Sequence, residues 1–260
     1  MGERTDAVDR EVGEVRVVQL SDCHVTREVP HFHGSPDAML RRAVEMAAAV
    51  EPDVLLLTGD IADDGSAAAY RRVEAILTEV LSPTVTVMAT PGNHDLPDVL
   101  NSILPTSTEC VAGGWRILTV DSSIPGQEHG RINVAEVVER LDTGDSRGAP
   151  TVLALHHPPI PTSTHRWFQL DGAPELIAAL SKRTDVRVVV SGHLHEAFVS
   201  VVGPVSYIGC SSTLYAIKHH GDRALLDDGH VGALVIRLRG DGTWLWNRLP
   251  DPLAGRVSLI

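Results

Sequence analysis

Alternation of strand-like and helical segments over residues 15–190 limits the fold of this chain more than any other feature of the sequence. Short apolar runs are separated by stretches with helical periodicity, which predicts an α/β protein. The predicted strands are VRVVQL (15–20), VLLL (54–57), TVTVM (84–88), WRILTV (115–120), TVLAL (151–155) and VRVVV (186–190). The predicted helices cover residues 37–50, 66–80, 133–141 and 173–182.

Beyond residue 195 the sequence becomes β-rich, with apolar segments separated by turns that contain glycine. Nothing between residues 15 and 260 resembles a linker, so we predict a single domain over this range. Residues 1–14 are charged and lack the apolar core of a signal peptide, which predicts a mobile acidic lead-in to a cytoplasmic protein. Because no apolar run approaches the roughly 18 residues that a membrane helix needs, we expect no membrane insertion.

The charge and composition limit the class of partner. A net charge of −12 disfavours polymeric nucleic acid, because polyanions bind through an excess of lysine and arginine. A small phosphorylated substrate stays compatible if local cations attract it. The chain has 13 histidines but only 3 phenylalanines, 3 tyrosines and 4 tryptophans, a balance that favours metal chemistry over base stacking. The 3 cysteines lie far apart and are expected to be reduced thiols.

Side chains able to bind metal ions follow five of the predicted strands. In open α/β sheets, ligands bind outside the carboxyl ends of the strands, so these side chains are expected to meet at one edge. They are Asp22 and His24 after the first strand, Asp60 after the second, Asn93, His94 and Asp95 after the third, His156 and His157 after the fifth, and His193 and His195 after the sixth.

The spacing of the D-x-H and H-x-H pairs allows each pair to face one centre. In an extended segment, residues i and i+2 point to the same side. Asp22 and His24 are therefore expected to converge, as are His193 and His195, while the residues between them point into the packed interior. Glycines beside the candidate ligands allow the backbone to turn where a Cβ atom would obstruct it, at positions 59, 92 and 192.

The number of candidate ligands predicts two ions. Four histidines, two aspartates and one asparagine are too many for one ion and suit two divalent ions that share a bridging carboxylate. Such ions lie about 3.5–4 Å apart and clamp the attacking and leaving oxygens of a phosphoryl displacement. Mixed nitrogen and oxygen ligands suit Mn, Fe or Zn best, with Co and Ni as further candidates.

These motifs resemble the calcineurin-like metallophosphoesterase superfamily, whose pattern is D-x-H, GD-x-x-D, GNH-D/E, H and GH-x-H. The match runs in order from about residue 15 to residue 210. The resemblance implies a four-layer α/β/β/α sandwich of two mixed sheets, with a dimetal site at the strand ends. It also implies ligand sets for two ions: Asp22, His24 and His195 for the first, Asn93, His156 and His193 for the second, and Asp60 as the bridge.

The resemblance further implies roles for neighbours of the ligands. His94 would stabilise charge on the phosphoryl group or protonate the leaving oxygen, with Asp95 orienting its imidazole. Asp63 resembles a supporting carboxylate, and a solvated loop position is an equal alternative. His157 is expected to pack or bond locally. The remaining loop histidines are assigned to the surface, in preference to the substrate cleft: His31, His33, His129 and His165.

Within the superfamily the chain is most similar to the bacterial class III cyclic-nucleotide phosphodiesterases. The segments that carry this likeness are GDIADDGSAAAYRRV (59–73), DSSIPGQEHGRI (121–132), ALHHPPIP (154–161) and TDVRVVVSGHLH (184–195). It implies hydrolysis of a 3′,5′-cyclic nucleotide such as cAMP by a hydroxide that bridges two ions, without a covalent enzyme intermediate. A homodimer through residues 196–249 is a further implication.

Several alternatives stay open at this point. The substrate could instead be a 2′,3′-cyclic nucleotide or a glycerophosphodiester, and a non-catalytic homologue would bind only metal or nucleotide. Protein Ser/Thr phosphatases fit less well, because they carry GD-x-V-D-R-G and GNHE where this chain has GDIADDG and GNHD. DNA nucleases of the superfamily bring basic surface, and purple acid phosphatases use a tyrosine ligand, but no tyrosine lies beside these motifs. A lipid-precursor pyrophosphohydrolase would need an apolar cap, which the β-rich region could supply.

Overall fold

A computed structural model describes residues 10–27, 34–104, 107–227 and 232–249 of the chain. The helices of these residues are α1 (Pro36–Ala49), α2 (Ala67–Val80), α3 (Pro97–Ile103), α4 (Val134–Asp142) and α5 (Ala173–Leu180), with a short 3-10 turn at Arg166–Phe168. The strands are β1 (Val15–Leu20), β2 (Val54–Thr58), β3 (Thr86–Thr90), β4 (Glu109–Ala112), β5 (Trp115–Thr119), β6 (Gly130–Arg131), β7 (Thr151–Ala154), β8 (Leu170–Asp171), β9 (Val186–Ser191), β10 (Phe198–Val202), β11 (Val205–Gly209), β12 (Ala216–His220), β13 (Arg223–Asp227), β14 (Ala233–Leu238) and β15 (Trp244–Leu249).

Most strands belong to two mixed sheets. The first sheet has the order β15-β14-β1-β2-β3, in which β1, β2 and β3 are parallel and β14 is antiparallel to both neighbours. The second has the order β10-β11-β9-β7-β5-β4, with four parallel central strands and an antiparallel strand at each edge. Among the described strands, β12 and β13 pair only with each other and form a hairpin.

Three apolar cores separate four layers. Successive residues of a strand face opposite sides of its sheet. In β2, Leu55 and Leu57 pack into a core with α1 and α2, whereas Val54 and Leu56 pack between the two sheets. A third core joins the second sheet to α4 and α5 and includes Leu153 of β7. The layer order is therefore helices, sheet, sheet, helices, and the predicted α/β/β/α sandwich is confirmed.

The predicted elements agree closely with the observed ones. Each predicted helix lies within two residues of an observed one, and each predicted strand overlaps an observed one. Helix α3 and the short strands β4, β6 and β8 are not predicted from the sequence. The β-rich C-terminal region also differs from a single meander, because β10 and β11 extend the second sheet while β14 and β15 extend the first. Alternating apolar residues predict a half-buried strand, but they do not identify the sheet that accepts it.

The chain before β1 is partly anchored. Residues 1–9 of the expected mobile lead-in lie outside the described residues, as do His31 and His33. Residues 10–14 contact the body of the protein: Arg10 pairs with Asp53 and donates to the Glu14 carbonyl, and the Glu14 side chain pairs with Arg16 in a buried position. Within the described ranges, none of the helices has both the length and the apolar character that crossing a membrane requires.

Candidate metal centre

The loops that follow β1 and β2 run side by side and deliver candidate ligands to one place. The Asp22 backbone N–H donates to the Gly59 carbonyl at 3.0 Å, and the His24 N–H donates to the Asp60 carbonyl at 2.9 Å. The Ser66 side chain ends the second loop, because it caps α2 by accepting the N–H of Ala69. The polar ends of these parallel strands therefore meet at one edge of the sheet, as the sequence predicts.

Five candidate ligands have a left-handed backbone, and Glu51 is the only other non-glycine described residue that does. The φ angles lie between 47° and 68°, at Asp22, His24, Asp60, His193 and His195. Such conformations cost on the order of 1–3 kcal/mol each and concentrate at functional sites. The expectation that the D-x-H and H-x-H segments are extended is therefore wrong. The two pairs still converge, because tight turns rather than pleated strands direct their side chains.

Glycines permit this close packing of loops, as predicted. A Cβ atom on Gly92 would lie 2.2 Å from Asp60 Oδ1, and one on Gly192 would lie 1.8 Å from Ser21 Oγ. Gly59 has a φ of 84°, and its added Cβ would lie 2.3 Å from His156 Nδ1. The backbone at these three positions therefore approaches the candidate ligands more closely than any residue with a side chain could.

Two sets of donor atoms face each other across Asp60. In the set that we name the first position (Asp22, His24 and His195), His195 Nε2 lies 3.1 Å from His24 Nε2 and 3.3 Å from Asp22 Oδ1. In the second position (Asn93, His156 and His193), His156 Nε2 lies 3.1 Å from Asn93 Oδ1. Asp60 Oδ2 lies 3.3 Å from His156 Nε2 and 3.9 Å from His24 Nε2, so this one oxygen faces both positions.

Each imidazole has one nitrogen turned away from the centre. Nδ1 of His24, His156 and His195 faces an acceptor, and Nε2 of His193 does the same. The acceptors are an Asp63 carboxylate oxygen at 2.9 Å, the Thr58 carbonyl at 2.8 Å, the Tyr215 carbonyl at 3.1 Å and, for His193, the Trp167 carbonyl at 2.9 Å. Such bonds place a ring proton on the outer nitrogen, so the inner nitrogen is the one that can coordinate an ion.

This donor set fits two divalent ions. The facing Nε2 lone pairs of His24 and His195 repel each other at 3.1 Å unless a cation or proton lies between them. Ligand atoms about 2.0–2.2 Å from a shared ion lie roughly 3.0–3.5 Å apart. The contacts of 3.1–3.3 Å above fall in this range, and the distance of 3.9 Å between Asp60 Oδ2 and His24 Nε2 is slightly longer. The inward-facing donors are imidazole nitrogens together with carboxylate and amide oxygens, a mixture that suits Mn, Fe or Zn.

The electrostatics of the centre favour cations. Burial raises the pKa of Asp22 and Asp60, but the facing imidazoles outweigh it and lower the pKa of both carboxyl groups. Burial lowers the pKa of His156, but the facing Asp60 carboxylate outweighs it and raises that pKa to about 9. In His193, burial and the neighbouring histidines lower the pKa. Two ionised carboxylates are therefore buried in the protein, and such charges need a cationic partner.

His157 bonds locally, as expected, although its ring lies beside two candidate ligands. Its Nδ1 accepts from the Ser122 hydroxyl at 2.9 Å, and its Nε2 donates to the Glu128 carbonyl at 3.0 Å. Burial lowers the pKa of His157 to about 3. With both nitrogens engaged and the ring neutral, His157 fixes the loop at residues 121–132 against the centre.

The expected partner of His94 requires a correction. His94 Nδ1 donates to the Asp63 carbonyl at 3.0 Å and lies 3.4 Å from Asp63 Oδ1. Asp95 is buried, and its carboxylate accepts the N–H groups of Ile61 and Ala62 and the hydroxyl of Tyr70. Asp95 therefore organises the backbone of the GD-x-x-D loop, and Asp63 orients the imidazole. Asp63 also bonds His24, so its carboxylate lies between His94 and the first position.

The centre opens into a cavity of about 360 Å³. The side chains of His94 and His165 line it, so the surface assignment of His165 is wrong, whereas His129 pairs with Asp171 at 3.6 Å. Tyr215 also lines the cavity, with its ring 4.3 Å from that of His195. Tyr215 is distant from the motifs along the chain but lies beside His195 in the fold.

Sequence reasoning missed the groups that support the ligands. Glu128 accepts the Asn93 side-chain N–H at 3.0 Å, which turns Asn93 Oδ1 towards His156. Thr58, Trp167 and Tyr215 act through backbone carbonyls. A carbonyl group has no side-chain signature in a sequence. Glu128 had one signal, its place in a long loop, but nothing in the sequence pairs it with Asn93.

Comparisons with known proteins agree with this geometry. The sequence pattern of the calcineurin-like phosphoesterase family matches residues 15–197. The chain is 33% identical to a "Probable cyclic nucleotide phosphodiesterase" from Synechococcus sp., covering 88% of this chain and 89% of that protein. It is 30% identical to the cAMP/cGMP dual specificity phosphodiesterase of Mycobacterium tuberculosis (86% and 76%) and 28% identical to the 3′,5′-cyclic adenosine monophosphate phosphodiesterase of Escherichia coli (88% and 87%).

Solved structures share the fold at low sequence identity. A dimetal phosphatase from Danio rerio has a TM-score of 0.62 at 14% identity, covering 85% of this chain and 98% of that one. A purple acid phosphatase from yellow lupin seeds has a TM-score of 0.66 at 13% identity, covering 94% and 52%. The family pattern spans most of the chain, and its motifs lie on the strand ends that converge around Asp60. The chain therefore belongs to the calcineurin-like phosphoesterase family.

Proposed function

We propose that the protein is a dimetal phosphodiesterase that hydrolyses small phosphodiesters, with 3′,5′-cyclic nucleotides such as cAMP as the favoured substrates. The observation that carries the proposal is the position of Asp60 Oδ2, 3.3 Å from His156 Nε2 and 3.9 Å from His24 Nε2, between two sets of inward-facing donors. The names of the relatives support the substrate class, because each describes a cyclic-nucleotide phosphodiesterase that aligns over most of its own length.

The first position would hold one ion and the second position the other, with Asp60 between them. Divalent ions supply a Lewis acid for the phosphoryl oxygens and lower the pKa of bound water. Mn, Fe and Zn fit the donor set best. The chain's own residues fix the geometry. Backbone carbonyls and the Asp63 carboxylate hold the imidazole rings, and the His193 N–H donates to both oxygens of Asp22, at 3.0 and 3.1 Å.

His94 is the proposed proton donor and charge-stabilising group. Its side chain is 36% exposed and lines the cavity, and its ring lies 4.9 Å from that of His24. Because Nδ1 is engaged with Asp63, Nε2 is the nitrogen that can face a phosphoryl or leaving oxygen. The contacts with the Asp63 carbonyl and carboxylate orient the ring so that Nε2 is available to the reacting oxygen.

The charge of the cavity supports a diester over a monoester. Among the described residues that line it, no lysine or arginine is present, and Glu128 and Asp222 add negative charge. Cations at the two positions would therefore be the main attraction for phosphate. A diester carries one negative charge near neutral pH and a monoester nearly two, so a site without basic side chains disfavours the monoester product more strongly.

Three finer proposals accompany this function. The protein is proposed to act in the cytoplasm. Recovery of the protein in the membrane fraction after cell fractionation would contradict this location.

Residues 15–260 are proposed to form one domain. A homodimer is proposed through the C-terminal β-rich region, where Val199 and Val201 are exposed on the edge strand β10. Light scattering that shows a monomer at micromolar concentration would contradict the dimer.

The test of the proposed function is a turnover panel on protein loaded with a defined metal. The substrates are cAMP, cGMP, 2′,3′-cAMP and glycerophosphoethanolamine, with 5′-AMP as the monoester comparison. The highest kcat/KM is expected for a 3′,5′-cyclic nucleotide. Preference for 2′,3′-cAMP or for the glycerol diester would reassign the substrate. An absence of turnover from every diester with two ions bound would indicate a non-catalytic homologue instead.

A further inference from the structure

One aromatic residue that lines the cavity has an indole without a role in the chemistry described so far. The cavity that contains the metal-centre residues is also lined by Trp167, Phe168, Ile217 and Ala224. Trp167 is 57% exposed, although it is the largest kind of apolar side chain. An exposed indole at a cavity is a binding surface more often than a packing element, because burial would otherwise stabilise it.

The backbone that carries this indole is tied to the metal centre. The Trp167 carbonyl accepts Nε2–H of His193 at 2.9 Å, and the Trp167 N–H donates to His165 Nδ1 at 3.2 Å. The next residue, Phe168, is buried, and its ring lies 5.3 Å from that of His193 and 4.6 Å from that of His219. The indole therefore has a fixed attachment point beside the second position.

The β12–β13 hairpin supplies the other apolar part of the lining. Ile217 pairs with Leu226 and His219 pairs with Ala224, so Ile217 and Ala224 share one face of the hairpin. The hairpin tip is fixed to the loop before Trp167, because the Gly221 carbonyl accepts the N–H of Thr164 at 2.9 Å. The two apolar parts of the lining are therefore joined by a hydrogen bond before any ligand binds.

We propose that the base of the cyclic nucleotide stacks on the Trp167 indole and contacts Ile217 and Ala224, while its phosphodiester lies at the metal centre. This inference rests on the proposed function. A ligand with one phosphodiester and one flat aromatic group matches a cavity that has donor atoms and an indole, and about 360 Å³ suits a small molecule. The low aromatic content of the chain does not oppose this, since one placed indole is enough to bind a base.

The test compares two substrates that differ only in the base: cAMP and methyl ribofuranoside 3,5-cyclic phosphate. The measured quantity is the ratio of kcat/KM for cAMP to kcat/KM for the base-free analogue. Stacking of a base on an aromatic side chain accounts for about five- to 150-fold in affinity, so the ratio is expected to fall by this factor in Trp167→Ala. Trp167→Phe, which keeps an aromatic face, is expected to retain most of the ratio.

Leu225→Ala is the matched control, because Leu225 is 56% exposed and is not among the cavity-lining residues. It is expected to keep the wild-type ratio. Adenosine, which has no phosphate, should inhibit competitively, and its inhibition should weaken by the same factor in Trp167→Ala. A metal count checks that the Trp167→Ala variant retains both ions. A wild-type ratio in Trp167→Ala, or equal turnover of both substrates by the wild type, would overturn the inference. Turnover of neither substrate would contradict the proposed function itself.

Discussion

The two positions of the metal centre differ in what holds them. At the first position, the side chains of Asp22, His24 and His195 are at most 4% exposed. At the second, His156 is fully buried, but Asn93 is only half-buried and is oriented by the exposed side chain of Glu128. One position is therefore built from interior side chains, and the other depends in part on a contact at the surface.

This difference predicts unequal metal binding. A buried ligand loses little conformational freedom when it coordinates an ion, because its partners already hold it in place. A half-exposed ligand with an exposed carboxylate partner loses more conformational freedom, which weakens ion binding. The ion at the second position is therefore expected to exchange faster and bind more weakly.

The largest expected effect comes from the residue that belongs to both positions. Asp60→Asn keeps the side-chain volume but removes the negative charge that both ions would share. We expect both ions to be lost and kcat/KM to fall by about 10⁴-fold or more, measured by elemental analysis and bis-p-nitrophenyl phosphate turnover. Asp64→Asn, an exposed carboxylate in the same loop, is the control and should keep both. Retention of two ions in Asp60→Asn would show that Asp60 is not the bridge.

The next effect separates chemistry from metal binding. His94→Ala should retain two ions but lose about 10²–10⁴-fold in kcat, because the imidazole that faces the phosphoryl group is removed while the ligands stay. His129→Ala, in a loop outside the cavity lining, should behave as the wild type. Full activity in His94→Ala would remove His94 from the mechanism, and loss of ions would make it part of the first position instead.

Removal of a ligand from the second position sharpens the comparison directly. Asn93→Ala, and likewise His156→Ala, is expected to empty the second position first and leave about one ion per chain. Titration of metal-free protein with Mn²⁺, followed by calorimetry, measures the two affinities separately. The weaker affinity should fall by about 10²-fold or more while the stronger one changes little. A metal count that shows both ions retained would contradict the assignment of these ligands.

The smallest expected effect on metal affinity comes from removing Glu128, the side chain that orients Asn93. Glu128→Ala should weaken the second ion by about tenfold, the lower end for such partners, because the Asn93–Glu128 contact is exposed to solvent. Gln127→Ala, at the neighbouring exposed residue, is the control and should leave the affinities for both ions unchanged. An equal loss at both positions in Glu128→Ala would remove the asymmetry between them.

Much of this arrangement follows from local sequence. Buried strands such as VLLL and VRVVV have few alternatives, and the polar residues after them meet because parallel strands end at the same edge. Helix α3 escaped prediction because it has only 7 residues and its N-cap, Leu96, offers no capping side chain. The β12–β13 hairpin escaped prediction because its strands, AIKHH and RALLD, mix apolar, charged and histidine residues without a clear alternation of buried positions.

The remaining site features depend on contacts between distant segments. Left-handed backbone at Asp22 and His193 is stabilised by hydrogen bonds across the site, and sequence rules reserve that conformation mainly for glycine and asparagine. The Asp63–His94 and Glu128–Asn93 contacts join different loops, so motif spacing does not predict them. The family resemblance implies that Asp95 orients His94, yet the Asp95 carboxylate turns towards the neighbouring loop.

The most direct test is the position of the metals themselves. Crystals of Mn²⁺-loaded protein, measured above and below the Mn absorption edge, give an anomalous map that locates each ion. We predict two peaks about 3.5–4 Å apart, one beside Asp22, His24 and His195, the other beside Asn93, His156 and His193, with Asp60 bound to both. A single peak, or two peaks of which only one contacts Asp60, would contradict the dimetal centre.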